Sequence, residues 1–295
     1  MTSHLVVSTP ALYTVQGSRP PRRGFDLAAP EPVRDAVLAV EDGVVTYAGP
    51  ASGWHGAVPD GVEGAIVPGF VDCHTHLPFF GWRADEHAAR LAGRSYRDLH
   101  GEGGIARSAR LFAEASDGEV LAFSEALAAE ALAGGVTSLE LKTGYGLSIE
   151  GEIRQARLAR ALGERVVQTT TVTLLACHAV PGGWDRASWV EAACAELIPA
   201  VAAEGLVDAV DVYVEDIAFS TADLERVAEA ARQAGLPLRC HAEQLGHTGA
   251  AEVAARLGAR SADHLNHVSP AGVKALAAAD TAAVLLPAST LFLGV

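Results

Sequence analysis

Hydrophobic and polar positions divide the chain at about residue 64. Upstream, residues 36–48 carry two apolar runs on either side of Asp42-Gly43. Asp-Gly between such runs predicts a hairpin, because both central residues of a type I′ turn need positive φ. A second β-rich run from Leu5 to Val15 is broken by Pro10, and residues 18–32, rich in Pro and Arg, read as a loop. Residues 1–64 are therefore expected to form a small β domain. Downstream, short apolar runs at 65–74, 137–142, 166–175, 207–214, 236–241, 261–265 and 282–286 alternate with helical, mostly Ala-rich stretches at 118–133, 150–162, 189–203, 221–234 and 250–257. That alternation predicts a parallel sheet with crossover helices. It suits a closed barrel or a doubly wound sheet equally well.

Polar residues at the strand ends favour the barrel. The first run leads into Asp72-Cys73-His74-Thr75-His76. On a strand, residues two apart share a face, so His74 and His76 project together. Barrel active sites sit at the C-terminal ends of the strands, and two imidazoles so placed can chelate one divalent ion. His241 closes the fifth run and His264 the sixth. The seven runs are one short of a closed eight-stranded barrel. The chain stops soon after the seventh, in Leu291-Phe292-Leu293-Gly294-Val295. The expectation is a barrel over 65–295 that is incomplete at its C-terminus.

Composition narrows the classes. The 295 residues are 49% hydrophobic and 20% charged, with a formal net charge of −14. Without a basic run, nucleic acid and acidic membrane surfaces are not expected partners. The four cysteines are scattered without a CxxC pair, arguing against a disulfide framework or a cysteine zinc site. No apolar run reaches about 18 residues and no leader pattern opens the chain, which predicts the cytoplasm.

The Pro68-Gly69-x-x-Asp72-x-His74-x-His76 run, together with His241 and His264, resembles the amidohydrolase superfamily. The resemblance implies an amidohydrolase-type (β/α)8 TIM barrel, here lacking its eighth strand, with a small flanking β domain. It implies that His74, His76 and His241 bind metal and that His264 lies beside it. Two-metal members often carry a bridging carboxylated lysine on the fourth strand. This chain has only Lys142 and Lys274, neither of them there. One divalent ion, zinc or iron, is therefore expected, and Lys142 is read as a structural or site-polarising residue.

Further segments narrow the match. Phe80-Gly81-Trp82-Arg83, Arg90 to Tyr96, Lys142-Thr143-Gly144-Tyr145-Gly146-Leu147, Cys177-His178-Ala179-Val180-Pro181 and His241-Ala242-Glu243-Gln244-Leu245 resemble the imidazolonepropionase family. This resemblance implies hydrolysis of 4-imidazolone-5-propanoate to N-formimino-L-glutamate, in histidine degradation, by a metal-activated water. Arg83 would pair with the propionate, and Tyr96, Tyr145 and His178 would line the substrate pocket. His264, His178 and Gln244 would serve the chemistry. Each also has a plain structural reading: Arg83 as a loop residue, Tyr145 as packing, His178 as a loop cap, Gln244 as a turn residue. The family's proton-carrying aspartate ends an eighth strand, and no Asp follows Pro287. The resemblance also leaves room for a homodimer. Two alternatives stand beside it. One is a mononuclear aminohydrolase or deaminase of a heterocyclic ring, which usually carries Glu where Gln244 stands. The other is a catalytically incomplete metal-binding fragment.

Overall fold

The computed structural model describes residues 4–14, 31–94 and 103–294. It falls into two compact units, residues 1–70 and 71–295.

The first unit is a four-stranded sheet of β1 (His4–Leu12), β2 (Val33–Glu41), β3 (Val44–Pro50) and β4 (Asp60–Gly61), in the order β3-β2-β1-β4. The predicted hairpin joins β2 to β3, and Asp42 and Gly43 take φ of 49° and 79°. Pro10 does not end β1. Thr9 and Ala11 pair with Ala36 and Arg34 on either side of it. Val6, Val37 and Ala39 form a small core, with Tyr47 and Trp54 packed against it.

The second unit contains the seven expected strands: β5 (Phe70–Thr75), β6 (Val136–Lys142), β7 (Thr169–Cys177), β8 (Ala209–Val214), β9 (Arg239–Ala242), β10 (Ser261–His264) and β11 (Ala282–Val284). They lie side by side in chain order. A doubly wound sheet would reverse that order partway, so the alternative is excluded. The first predicted run is shorter than its apolar stretch. Ile66 bridges Leu12 of the first unit instead, and β5 begins only after Pro68 and Gly69. β7 and β8 are buried almost throughout, which explains their continuous apolar sequences. β5 and β11, the outer strands of this sheet among the described residues, are the exposed ones.

Helices cover the crossovers. Ser116 with Glu119, and Ser220 with Asp223, form capping boxes that start the helices at Asp117–Ala133 and Thr221–Gln233. The helical stretch expected over 189–203 is interrupted by a π turn at Ala193–Leu197. Pro199, just beyond it, lacks the N–H that a regular ladder needs. Helices at Ala84–Leu91, Gly104–Glu114, Pro270–Ala279 and Pro287–Leu293 were not predicted, and the last of them contains most of the terminal apolar run. Among the described residues, no helix is long and apolar enough to cross a membrane.

Candidate active site

The histidines singled out in the sequence converge at the C-terminal ends of the strands. His74 lies next to the last residue of β5 and His76 just follows the strand; His241 lies in β9 and His264 closes β10. Ring centroids of His74 are 4.4 Å from His241, 5.1 Å from His264 and 5.3 Å from His76. His74, His76 and His241 can each offer one ligand atom within 4.8 Å of the others. Sheet curvature creates this cluster, since β5 and β10 are not neighbours in the sheet.

Two buried carboxylates support the rings from below. Asp263 Oδ2 lies 2.7 Å from His74 Nδ1, and Asp211 Oδ2 lies 3.0 Å from His241 Nδ1. The first contact is a well-aligned hydrogen bond and the second is an ion-pair distance with poorer alignment. An ionised carboxylate only accepts, so the proton of each neutral ring belongs on Nδ1. Nε2 is then left with a lone pair. Among the described residues, the buried Nε2 of His241 and Nδ1 of His76 have no hydrogen-bond partner. Buried polar atoms of this kind call for a missing ligand. Three imidazoles, two of them backed by carboxylates, suit a divalent transition metal.

Electrostatics keep His74, His76 and His178 uncharged at neutral pH. Burial, reinforced by His241, lowers His74 to about 4 despite the Asp263 bond. Burial also holds His76 well below its usual value, with His178 adding to the effect. Burial and then His241 lower His178 to about 3.

A cavity of about 260 Å³ opens over the cluster. Arg83, Tyr145, His178, Tyr213, Gln244 and His264 are among its lining residues. An adjoining cavity of about 370 Å³ shares Arg83, Tyr145 and Phe292 with it and extends to Trp82 and Glu86. The histidine-lined cavity holds the candidate ligands, and the second extends it past Arg83. Tyr96 lies outside the described residues. The structure thus brings together all the other candidate residues.

Local folding explains several positions. His178 follows β7 and its ring stacks on His76 at 4.9 Å with an interplanar angle of 6°. Its Nδ1 lies 3.0 Å from the Gly144 carbonyl oxygen, which can only accept, so Nδ1 carries the proton. Gly144 has φ of +111°, and a Cβ there would come within 2.7 Å of that nitrogen. His264 and Leu265 adopt left-handed φ of 76° and 58°, strain that packed surroundings maintain at sites of this kind. Gln244 donates from Nε2 to Ser289 Oγ at 3.4 Å.

Sequence reasoning missed four supporting residues. Asp211 had no distinctive context, and Asp263 was noticed only as the neighbour of His264. Glu152 and Gln155 project from the helix Ile149–Gly163. The Glu152 carboxylate accepts from the backbone N–H groups of Gly144, Gly146 and Leu147 at 2.9, 2.7 and 3.1 Å. Gln155 accepts from the Tyr145 N–H at 2.9 Å and donates to the Pro78 carbonyl at 2.8 Å. Two polar residues three apart on the helix face that also carries Ala156, Ala159 and Leu162 were the available signal.

The fold and site define a hydrolase-type barrel, and residues 65–288 match the model of the amidohydrolase family. Structures with the same fold include a 5-methylcytosine deaminase from Klebsiella pneumoniae liganded with 5-fluorocytosine. It is 12% identical, covers 98% of this chain and 67% of its own, and has a TM-score of 0.69. A zinc-bound adenosine deaminase from Xanthomonas campestris is 19% identical, with 98% and 64% covered and a TM-score of 0.61. Closer in sequence are the imidazolonepropionases of Cupriavidus taiwanensis, 46% identical over 88% of this chain and 64% of that protein, and of Methylobacterium nodulans, 46% identical over 96% and 70%. The chain belongs to the imidazolonepropionase family of amidohydrolases. It spans about two thirds of the length of these relatives.

Proposed function

We propose that this chain carries the metal- and substrate-binding residues for hydrolysis of 4-imidazolone-5-propanoate to N-formimino-L-glutamate. The observation that carries the reading is the convergence of His74, His76 and His241, two of them backed by buried carboxylates. These three would hold one divalent ion, zinc or iron. When bound, such an ion supplies Lewis acidity that brings the pKa of water from 15.7 towards about 7.

The remaining residues bind and orient. Arg83 lines the cavity with its guanidinium 3.4 Å from Glu86, which leaves other N–H groups for a propionate. Tyr145 stands beside His76 and His178, at 5.5 and 5.4 Å between centroids, and forms a wall for a flat ring. His178 as the Nδ1–H tautomer presents Nε2 as an acceptor, so it is matched to a ring N–H rather than to an oxyanion. That leaves His264 as the imidazole beside the reacting carbon. Gln244 offers an amide to the ring nitrogens. It stands where heterocycle deaminases usually carry a glutamate, which weighs against deamination.

A second reading has its own observation. Asp211 and Asp263 are fully buried and tied to histidines and to Lys142. Neither is free to carry a proton to a leaving nitrogen. These residues by themselves would then bind metal and substrate without turnover.

One experiment separates the readings. The metal-loaded chain is offered 4-imidazolone-5-propanoate, and loss of the substrate's ultraviolet absorbance is followed. Turnover that disappears in His241→Ala supports hydrolysis. Substrate binding without turnover supports the second reading, and neither binding nor turnover sinks both.

A further inference from the structure

The barrel interior beneath the histidines holds a second cluster of potential cation ligands, overlapping the first. Asp211, His241 and Asp263 can also offer three ligand atoms within 4.8 Å of one another, all buried. By donor type this is a second divalent-cation site that shares His241 with the first. A side chain already fills it. The Lys142 Nζ lies 2.7 Å from Asp211, 3.0 Å from Glu140 and 3.3 Å from Asp263, with the whole side chain buried. An ammonium has three donors, and each has a carboxylate in reach.

We propose that the Lys142 ammonium is a built-in cation that takes the place of a second metal ion and keeps the centre mononuclear. This rests on the reading of His74, His76 and His241 as ligands for one ion.

Geometry and charge both support it. Lys142 approaches Oδ2 of Asp211 and Oδ2 of Asp263, the same oxygens that face His241 and His74. The carboxylates are thus committed on one side to the ammonium and on the other to the rings. Three carboxylates, Glu140, Asp211 and Asp263, face two fixed cations, Lys142 and Arg239, with Arg239 3.1 Å from Glu140. One divalent ion leaves this buried set near neutrality, whereas two would load it with uncompensated positive charge. Although burial opposes its charge, Lys142 is held above the ordinary lysine range by Asp211, Asp263 and Glu140, so the ammonium is permanent at neutral pH. As a positioning residue it acts through the two aspartates on the ligand histidines.

The test counts Co2+ in the full 295-residue chain, with circular dichroism as the check on folding. Electron paramagnetic resonance separates two interacting neighbouring ions from ions scattered on the surface. The wild type is expected to hold one Co2+ at this centre even at millimolar metal. Lys142→Met, similar in length and uncharged, is expected to gain a second, spin-interacting Co2+. A folded Lys142→Met that holds one ion or none overturns the proposal. Should that variant not fold, the wild-type titration decides: saturation at one ion supports the role, and a coupled second ion overturns it. A wild type without any ion removes the metal reading, and this inference with it.

Discussion

Nδ1 of His74 lies 2.7 Å from Oδ2 of Asp263, joining two residues 189 positions apart in the chain. The bond crosses the barrel, because β5 and β10 are not neighbours in the sheet. It decides which nitrogen of His74 keeps its lone pair, and so whether the ring can serve as a ligand.

Asp263→Asn tests that relationship. The amide keeps the shape but presents no charge, and one of its two ends is a donor that does not demand a proton on Nδ1. Loss of such an outer partner typically weakens metal affinity roughly 10–100-fold. Competition with a chromogenic chelator should show a drop of that size. Unchanged affinity would mean that the carboxylate does not set the tautomer.

Gly144→Ala tests the loop that carries Tyr145. Its φ of +111° is strained for any side chain, and the new methyl would meet the His178 ring. A loss of stability of about 1–3 kcal/mol is expected in urea unfolding. Binding of a ring ligand should weaken too, since His178 must shift. A variant as stable as the wild type would show that the loop relaxes freely.

Arg83→Lys separates a carboxylate-binding fork from a mere positive charge. Lysine keeps the charge and loses the paired, planar donors. Calorimetric titration with imidazole-4-propionate should show affinity about tenfold lower or weaker still, in line with the roughly 1.5–3 kcal/mol of a hydrogen bond to a charged group. Equal binding by both proteins would remove Arg83 from the propionate.

Glu152 makes a prediction about pH. Burial lifts its carboxyl from 4.5 to about 6, against the opposing hydrogen bonds from Thr143 and the backbone of the 144–147 loop. The folded state therefore holds this proton more tightly than the unfolded chain does. Its contribution to stability is greatest below pH 4.5 and declines as pH rises through 6, by about 2 kcal/mol in total. Glu152→Gln does not titrate. The stability of the wild type relative to this variant should therefore fall by most of that amount between about pH 4.5 and about pH 6.5. Parallel stability curves would show that the loop donors cancel the burial.

Much of the site was legible in the sequence because strand periodicity is short. Two histidines two residues apart must share a face, and a histidine that ends an apolar run must lie at a strand end. The Asp42-Gly43 turn was legible for a similar reason, since its positive φ values are a local demand. The helices at Ala84–Leu91 and Gly104–Glu114 were less so. Arginines and acidic residues interrupt their apolar positions, and much of what they bury is polar or small, such as Glu86, Gly104 and Ser108.

The sequence by itself determined the alternation of strand and helix and the imidazoles at the strand ends, because each depends on residues close together in the chain. Tertiary structure alone decided how Lys142, Asp211 and Asp263 combine. They come from β6, β8 and β10, and no spacing along the chain relates them. Curling the sheet brings those strands around one interior. There, buried like charges must find counter-charges, and the partners they find set the proton positions on His74 and His241.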